Sequence, residues 1–329
     1  MPQPSVTVVI PTLAAGDTLE ACLESLSCQT FRDHEVIVVD NSGRKIVEPR
    51  EGVRIIHNSE NAGFAAAVNQ GIRDSAGEFV ATLNDDAVAH PGWLAALVET
   101  IRERPEIGMC ASQIRLHADK RLDSAGMLIC GDGSSKQCGH LEPPEKNARR
   151  RHALLPSGCA ALYKREMLDE IGLFDESFFL YCEDTDLGLR ARWAAWECMY
   201  VPEAVVEHRY SHSAGRASAL KAFYVERNRL YLLFKNFPDA LLWRAPFYSL
   251  VRYFWHAVYA WKGEGKTAEF RQAGNKGLVM SVIRAHIALC RNWRRLCRER
   301  KLIRRRLTAE QFRRLLRDYS ISARKVAAL

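Results

Sequence analysis

Two short acidic segments carry the side chains best suited to chemistry. Asn84–Asp86 (Asn-Asp-Asp) follows the apolar run Phe79–Leu83. Hard oxygen ligands of this kind suit Mg²⁺ or Mn²⁺, which bind one or two carboxylates together with substrate phosphates. Glu183–Asp186 (Glu-Asp-Thr-Asp) places three carboxylates within four residues at a predicted helix start, where one of them can serve as a general base. Each segment also has an ordinary explanation, since acidic side chains cap helices and complement the helix dipole.

An alternation of strand and helix patterns predicts the scaffold behind these segments. Short β-branched or apolar runs predict four strands, at Val6–Ile10, Val36–Asp40, Val53–Ile56 and Phe79–Leu83. Helical spacing predicts a helix that begins with a capping box at Asp17–Glu20, and a second helix over Phe64–Asp74. The β-α-β-β-α-β order predicts an α/β fold with a doubly wound, mostly parallel sheet.

Polar side chains follow three of the predicted strands. Pro11 and Thr12 come after the first strand, Asp40 ends the second, and Asn84–Asp86 follows the fourth. Because ligands bind beyond the carboxyl ends of strands in such a sheet, these positions favour a ligand site over simple capping. A nicotinamide dehydrogenase is disfavoured, since Pro11–Gly16 lacks the Gly-x-Gly-x-x-Gly pattern expected after the first strand.

Composition excludes several other classes. The chain has 329 residues, of which 47% are hydrophobic and 26% charged, so wholesale disorder is excluded. Its ten cysteines form no Cys-x-x-Cys pair, and the first residues lack the basic-then-apolar order of a secretory signal, so we expect reduced thiols in the core. No stretch of eighteen apolar residues occurs, so we expect no conventional membrane-spanning helix.

The basic charge is concentrated at the end of the chain. The formal net charge is +8, but residues 284–329 hold 15 basic and 3 acidic side chains, which leaves the rest of the chain mildly acidic. Residues 240–261 are crowded with aromatic side chains and interrupted by arginines, a pattern that suits a membrane interface. The sequence thus predicts contact with an anionic membrane surface through 240–261 and 284–325. Packing of these helices on the rest of the chain, or a homo-oligomer contact, stays open as an alternative.

Seven motifs, taken in order, resemble those of family 2 glycosyltransferases with the GT-A fold, especially the bacterial rhamnosyltransferase-like branch. The motifs are Val8–Thr12, Val36–Ser42, Asn58–Phe64 with Asn69–Gly71, Gly77–Phe79 with Leu83–Asp86, Ser157–Ala160, Gly172–Glu176 and Phe179–Leu187. The match runs from about Val6 to Lys235, roughly two thirds of the chain. It departs from the family at Leu13 and Ala14, where members commonly read Tyr-Asn, so recognition of the nucleobase is left open.

The resemblance implies a role for each candidate residue. On the donor side it implies contacts from Pro11, Thr12, Asp40, Asn61, Gly63, Asn69, Asn84 and Asp85. For the donor sugar and acceptor it implies Ser157, Gly158, Cys159 and Asp186. Asp86 is the implied metal ligand, and His208 matches the histidine that often completes the metal site, although taken alone it favours an ordinary strand-end histidine. In the acid pair Glu183 and Asp184, the expected base is Asp184, with Asp186 as its competitor.

The implied activity is inverting, metal-dependent sugar transfer. A Mg²⁺ or Mn²⁺ ion would neutralise the leaving diphosphate, and a positioned base would activate the acceptor hydroxyl. The expected donor is dTDP-rhamnose or a UDP-sugar, and the expected acceptor is a lipid-linked or cell-surface glycan. The expected location is cytoplasmic, at the inner face of the cell membrane, and no nucleic-acid partner is expected.

The same resemblance divides the chain into a catalytic domain, residues 1–217, and a helical basic region, residues 218–329. Within the catalytic domain, residues 1–107 form the nucleotide-sugar-binding half and residues 108–217 the acceptor-side half. Two other classes of protein are disfavoured. A non-catalytic protein of the same fold, binding membrane or nucleic acid through its basic tail, has no reason to keep Asp40, Asp86, Asp184 and His208 together. A sugar nucleotidyltransferase would carry a glycine-rich phosphate loop after the first strand, which is absent from the sequence.

Overall fold

The structure is a computed structural model and describes residues 3–209, 219–263 and 277–328. Its contacts divide the chain into two compact units. The first unit comprises Met1–Met127, Gln137–Phe179 and Glu183–Ser211. The second comprises Leu128–Lys136, Leu180–Cys182 and His212–Leu329. The predicted domain boundary at residues 217 and 218 lies outside the described residues.

Twelve strands are described. They are β1 (Val6–Thr12), β2 (His34–Asp40), β3 (Val53–His57), β4 (Phe79–Leu83), β5 (Ala87–Ala89), β6 (Ile107–Leu116), β7 (Leu122–Ser124), β8 (Met127–Ile129), β9 (Ser135–Gln137), β10 (Arg151–Ala153), β11 (Ala160–Lys164) and β12 (Glu197–His208). Five helices accompany them in the first unit. They are α1 (Asp17–Ser27), α2 (Phe64–Arg73), α3 (Trp93–Arg102), α4 (Arg165–Ile171) and α5 (Glu183–Trp193).

The main sheet has ten strands, eight of them in the order β10-β12-β6-β11-β4-β1-β2-β3, with β5 paired to β12 and β7 to β6. β1 pairs in parallel with both β2 and β4, and β2 pairs in parallel with β3. β11 runs antiparallel between β4 and β6, whereas β12 is parallel to β6. The predicted β-α-β-β-α-β order of the first hundred residues is therefore confirmed, and the sheet is of the predicted mostly parallel, doubly wound type.

Helices cover both faces of this sheet because successive side chains of a strand point to opposite faces. Val8 and Ile10 of β1 belong to the cluster that includes Leu23 of α1 and Trp93 of α3. Val9 belongs to the opposite cluster, with side chains from α2, α4 and α5. A continuous apolar strand such as β1 is what burial on both faces requires.

The capping box predicted at Asp17–Glu20 is wrong. Gly16 occupies the N-cap position of α1 and no side chain caps the helix. Because the helix begins one residue earlier than the pattern implied, Asp17 lies in its first turn, where its charge complements the helix dipole.

The second unit is mainly helical. Its described residues form the helices α6 (Ala219–Asn236), α7 (Asp239–Leu242), α8 (Ala245–Lys262), α9 (Leu278–Leu302), α10 (Ala309–Asp318) and α11 (Ala323–Ala328). α9 packs along α6, where the ring of Trp293 lies 4.2 Å from that of Phe234 and Leu296 is fully buried. Thr308 and Gln311 form a capping box at the start of α10.

Four buried charged side chains join α6, α8 and the segment Leu128–Lys136. Arg252 donates to Asp132 Oδ2 at 2.6 Å and to Glu226 Oε2 at 2.9 Å. Arg229 donates to the backbone oxygen of Asp132 at 2.7 Å and pairs with Glu226. Although burial by itself raises the pKa of Glu226, the two guanidinium groups hold it at about 2, so the cluster is ionised and balanced in charge.

One face of α8 is apolar and exposed. Phe247, Leu250, Phe254 and Trp261 recur at helical spacing, and Trp243 just before the helix is 87% exposed. We call these five side chains the aromatic stripe. Among the helices that the structure describes, none is long and apolar enough to cross a membrane.

Candidate active site

The ends of β1 and β4 meet at one edge of the sheet. The hydroxyl of Thr12 donates to Asp85 Oδ2 at 2.6 Å, across the boundary between these neighbouring parallel strands. Burial raises the pKa of Asp85 to about 6, and the adjacent charge of Asp86 adds to this. Pro11 pairs with Val39 of β2, one residue before Asp40, so the three predicted strand-end groups converge as expected.

Asp40 is fully buried at the end of β2. Burial by itself raises the pKa of its carboxyl, but hydrogen bonds from Ser42, Val47 and His57 outweigh this effect and hold the pKa at about 2. The amides of Ser42 and Val47 donate at 3.1 and 3.2 Å, and His57 Nδ1 lies 3.1 Å away. A fixed negative charge therefore stands at this strand end throughout the physiological pH range.

A lattice of asparagine side chains shapes the loop before α2. Asn41 donates to Asn61 Oδ1 at 3.0 Å, and its own Oδ1 accepts from Asn58 and from the amide of Ala62, each at 2.9 Å. Asn61 also accepts from the amide of Gly63 at 2.9 Å. Asn41 organises this loop; it lies within the motif Val36–Ser42, but the sequence alone assigned it no role.

Gly63 is required by close packing. Its φ is +87°, and a Cβ there would lie 2.5 Å from the backbone oxygen of Phe179. That oxygen accepts from the amide of Phe64 at 2.7 Å, which ties the start of α2 to the segment before the acid pair.

Asn69, predicted beside the nucleotide sugar, is almost fully buried. Its side chain bonds the backbone of Phe174 through both amide groups, at 2.8 and 3.0 Å, and reaches Glu176 at 2.9 Å. These contacts make Asn69 a bridge between α2 and the segment that follows α4.

Asp86 and His208 come together through strand pairing. His208 is opposite Ala87 in the antiparallel ladder of β5 and β12, and its Nε2 lies 3.2 Å from Asp86 Oδ1. Its Nδ1 lies 2.9 Å from Asp123 Oδ2, and His140 in turn lies 3.3 Å from Asp123 Oδ1. Asp123 was not predicted, because an isolated aspartate in an irregular region carries no motif.

This arrangement fits a divalent cation held partly by substrate. Among the described residues, no group of three or more His, Cys, Asp or Glu side chains is arranged to hold a metal by itself. Mg²⁺ and Mn²⁺ are commonly bound by one or two protein groups plus substrate phosphates and water, so Asp86 and His208 suffice as a protein contribution. The contact with Asp123 is the carboxylate–histidine arrangement that orients metal-binding imidazoles.

The segment Ser157–Cys159 links the end of β4 to the acid pair. The amide of Asn84 donates to the backbone oxygen of Cys159 at 2.8 Å. The amide of Gly158 donates to Asp184 Oδ2 at 2.9 Å, and a Cβ at Gly158 would lie only 3.3 Å from Asp184 Cβ. The antiparallel pairing of β11 with β4 thus brings Asp184 close to the strand end that carries Asn84–Asp86.

The two carboxyl groups at the start of α5 differ in their surroundings. Glu183 is buried, and its Oε2 has no hydrogen-bond partner among the residues that the structure describes. Burial, together with the nearby charge of Asp184, raises the pKa of Glu183 to about 8. Asp184 is partly exposed to solvent. Burial raises the pKa of Asp184 as well, while hydrogen bonds from Gly158 and Thr185 moderate the rise. Such an acid, partly accessible and shifted upward, has the properties of a general base near neutral pH.

Asp186 has a different environment. It is fully buried and pairs with Arg190 at 2.8 Å. Arg190 also donates to three backbone oxygens between Ile171 and Leu173, so the pair joins α5 to the end of α4. This geometry favours Asp184 over Asp186 as the base.

Solved structures of low sequence identity share this fold. GalNAc-T7 with UDP, GalNAc and Mn²⁺ aligns with a TM-score of 0.59 at 17% identity, covering 76% of this chain and 51% of its own. A mannosyltransferase from Pyrobaculum calidifontis with GDP-Man and Mn²⁺ aligns with a TM-score of 0.51 at 18% identity, covering 88% and 87%. Together with the sheet described above, they show that the chain has the GT-A nucleotide-diphospho-sugar transferase fold.

Sequence comparison identifies the family. The model of glycosyl transferase family 2 matches residues 7–172. The N-acetylglucosaminyl-diphospho-decaprenol L-rhamnosyltransferase of Mycobacterium tuberculosis is 31% identical over 267 residues, which cover 73% of this chain and 86% of that protein. An uncharacterized glycosyltransferase of Bacillus subtilis, YwdF, is 26% identical over 223 residues, covering 65% and 77%. The chain belongs to glycosyl transferase family 2 and is rhamnosyltransferase-like, which confirms the resemblance found in the sequence.

Proposed function

We propose that this glycosyltransferase transfers a sugar, with inversion, from a nucleoside-diphosphate donor to a lipid-linked or cell-surface glycan acceptor. The proposed sugar is rhamnose, with dTDP-rhamnose as the donor, and a UDP-sugar is the alternative donor. The observation that carries the proposal is the acid pair at the start of α5. Asp184 is held by the amide of Gly158, close to the strand end where the donor diphosphate of a GT-A enzyme is expected. The name of the mycobacterial relative, which specifies rhamnose and a lipid-linked N-acetylglucosamine, supports the choice of sugar and acceptor.

In the proposed reaction Asp184 takes the proton of the acceptor hydroxyl. The oxygen attacks the anomeric carbon as the bond to the diphosphate breaks, so a single displacement inverts the configuration. The amides of Gly158 and Thr185 fix both oxygens of Asp184 and thereby limit its rotation. Glu183, buried beside it with a pKa of about 8, stays protonated near neutral pH and adds no second charge to the base.

Asp86 and His208 are the proposed ligands of a Mg²⁺ or Mn²⁺ ion. When bound, the ion neutralises charge that develops on the leaving diphosphate. Asp85 accepts a hydrogen bond from Thr12 and is proposed to contact the donor beside this ion. Asp40 and the asparagine lattice around Asn61 are proposed to receive the nucleoside part of the donor.

We further propose that the aromatic stripe of α8 rests on a membrane surface, where a lipid-linked acceptor is found. Trp, Phe and Leu on one exposed helix face, flanked by the exposed cations Arg244 and Lys262, match the apolar and anionic layers of a bilayer interface. Location at the inner face of the cell membrane is part of the same proposal.

A donor panel tests the proposed reaction. The purified protein is offered dTDP-rhamnose and UDP-sugars with a lipid-linked N-acetylglucosamine acceptor, in the presence of Mn²⁺ or EDTA, and released nucleoside diphosphate is measured. We expect Mn²⁺-dependent release from dTDP-rhamnose and an inverted linkage in the product by NMR. Release from another donor alone would overturn the choice of rhamnose, and a retained anomeric configuration would overturn the mechanism.

A further inference from the structure

The backbone just before the acid pair has an unusual conformation. Phe179, Tyr181 and Cys182 have φ values of +64°, +71° and +68°, in the left-handed region that side chains other than glycine rarely adopt. Such conformations cost conformational free energy and persist only where the surroundings hold them. The next residue along the chain is Glu183, followed by Asp184. The direction in which the chain enters α5 therefore depends on a left-handed backbone conformation that contacts with other residues must stabilise.

Asn228 supplies that support from α6. Its Nδ2 donates to the backbone oxygens of Leu180 and Tyr181 at 2.8 and 2.7 Å, which uses both hydrogens of the amide. Its Oδ1 accepts from Arg227 Nε at 2.9 Å, and this contact fixes the amide with its nitrogen toward the two oxygens. Asn228 is fully buried, so water does not replace these bonds.

A second contact from α6 reaches the same segment. Lys221 Nζ lies 5.3 Å from the ring centre of Tyr181, within cation–π range. α6 is itself braced by α9, where Asn292 donates to the hydroxyl of Tyr231 at 2.9 Å. Asn228 thus projects from a supported helix, and α6, Leu180 and Tyr181 belong to the same compact unit.

We propose that Asn228 is a positioning residue for catalysis: by holding the carbonyl groups of Leu180 and Tyr181, it keeps the left-handed backbone in place and presents Asp184 to the acceptor. The inference rests on the proposed role of Asp184 as base. Without the amide, the backbone at Tyr181 and Cys182 relaxes toward negative φ, and Asp184 moves away from its hydrogen bond with Gly158. A displacement of about 1 Å at a catalytic group is enough to lower turnover about a hundredfold.

The test compares Asn228→Ala with Asn236→Ala. Asn236 is a matched control, since it is a fully buried asparagine of the same helix whose amide donates to Leu232 of α6 and not to the segment before Glu183. We expect Asn228→Ala to lower kcat by about 10- to 100-fold with little change in KM for the donor. Asn236→Ala should keep kcat within about threefold. Asn228→Asp keeps the shape but replaces the donor by an acceptor, and should be at least as impaired as Asn228→Ala.

Hydrogen exchange gives a readout that does not depend on activity. Amides of residues 180–185 should exchange faster in Asn228→Ala than in wild type, and at the wild-type rate in Asn236→Ala. Equal kcat losses in the two alanine variants, or unchanged exchange in Asn228→Ala, would overturn the inference, as would wild-type turnover in Asn228→Asp. If the wild-type enzyme accepted no donor, the proposed function would fail while the exchange data still decided whether Asn228 holds this backbone.

Discussion

His208 Nε2 lies 3.2 Å from Asp86 Oδ1, although the two residues are far apart in the chain. The pairing of β5 with β12 creates this contact, and Asp123 lies against the other nitrogen of the imidazole. The sheet itself therefore brings together the two proposed metal ligands.

Asp86→Asn should lower Mn²⁺-dependent transfer by about a hundredfold or more, because neutralisation of a leaving diphosphate by a metal is worth several kcal/mol. Nucleoside diphosphate release is measured across a Mn²⁺ titration. Asp119→Asn is the control, since Asp119 is an exposed aspartate paired with Arg121. Equal activity of Asp86→Asn and Asp119→Asn would contradict the assignment of the metal site.

Asp123→Asn should weaken the apparent affinity for Mn²⁺ by about 10- to 100-fold, and high Mn²⁺ should restore the activity of this variant.

Asp184→Asn should lower kcat by about 10² to 10⁴-fold, the usual contribution of a general base, while donor binding persists. Isothermal titration with the donor and steady-state kinetics separate the two effects. Asp186→Asn should instead lower the melting temperature, because it leaves Arg190 buried without its carboxylate partner. If Asp184→Asn kept near-normal turnover while Asp186→Asn folded but was inactive, the base would be Asp186.

Glu183→Gln should change how stability depends on pH. The pKa of Glu183 is raised from 4.5 to about 8 in the folded state, so the folded protein binds the proton more tightly than the unfolded chain. The stability that this gives is full below pH 4.5 and is lost as the pH rises through 8. Glutamine imitates the protonated acid and cannot ionise. We therefore expect Glu183→Gln to raise the melting temperature relative to wild type at pH 8 and much less at pH 5. The same shift at both pH values would show that Glu183 does not titrate in this window.

Phe247→Ser combined with Phe254→Ser should weaken binding to anionic vesicles by at least about tenfold, since burial of each aromatic side chain is worth about 1.5–3 kcal/mol. Co-sedimentation with phosphatidylglycerol-containing and pure phosphatidylcholine vesicles measures the effect, and high salt should release the wild-type protein only in part. Leu141→Ser is the control, because Leu141 is an exposed leucine of the first unit. A truncation that removes residues 284–329 would also delete most of α9, which packs on α6. Point substitutions therefore test membrane binding more directly. Unchanged binding of the double variant would assign the stripe another role.

Local patterns in the sequence predicted more of the sheet than of the candidate active site. The strands of the first hundred residues follow from runs of β-branched residues that can be recognised in the sequence. The contact of Thr12 with Asp85 depends on the pairing of β1 with β4, which no local pattern specifies. Asp123 and Asn228 were missed because each acts through a contact with a residue distant in the chain. The N-terminus of α1 was mispredicted because Asp17–Glu20 matches the pattern of a capping box. In the structure Asp17 is already the first residue of the helix, and Gly16 is its N-cap.

The buried cluster of Asp132, Glu226, Arg229 and Arg252 has a consequence for how this chain can change over generations. Loss of one member leaves an opposite charge buried without compensation, which typically destabilises a protein by about 3–5 kcal/mol. Joint replacement by apolar side chains of similar volume removes all the charges at once and is often neutral or stabilising. The four positions are therefore expected to be inherited as a unit, either all ionic or all apolar, with single substitutions rare among descendants.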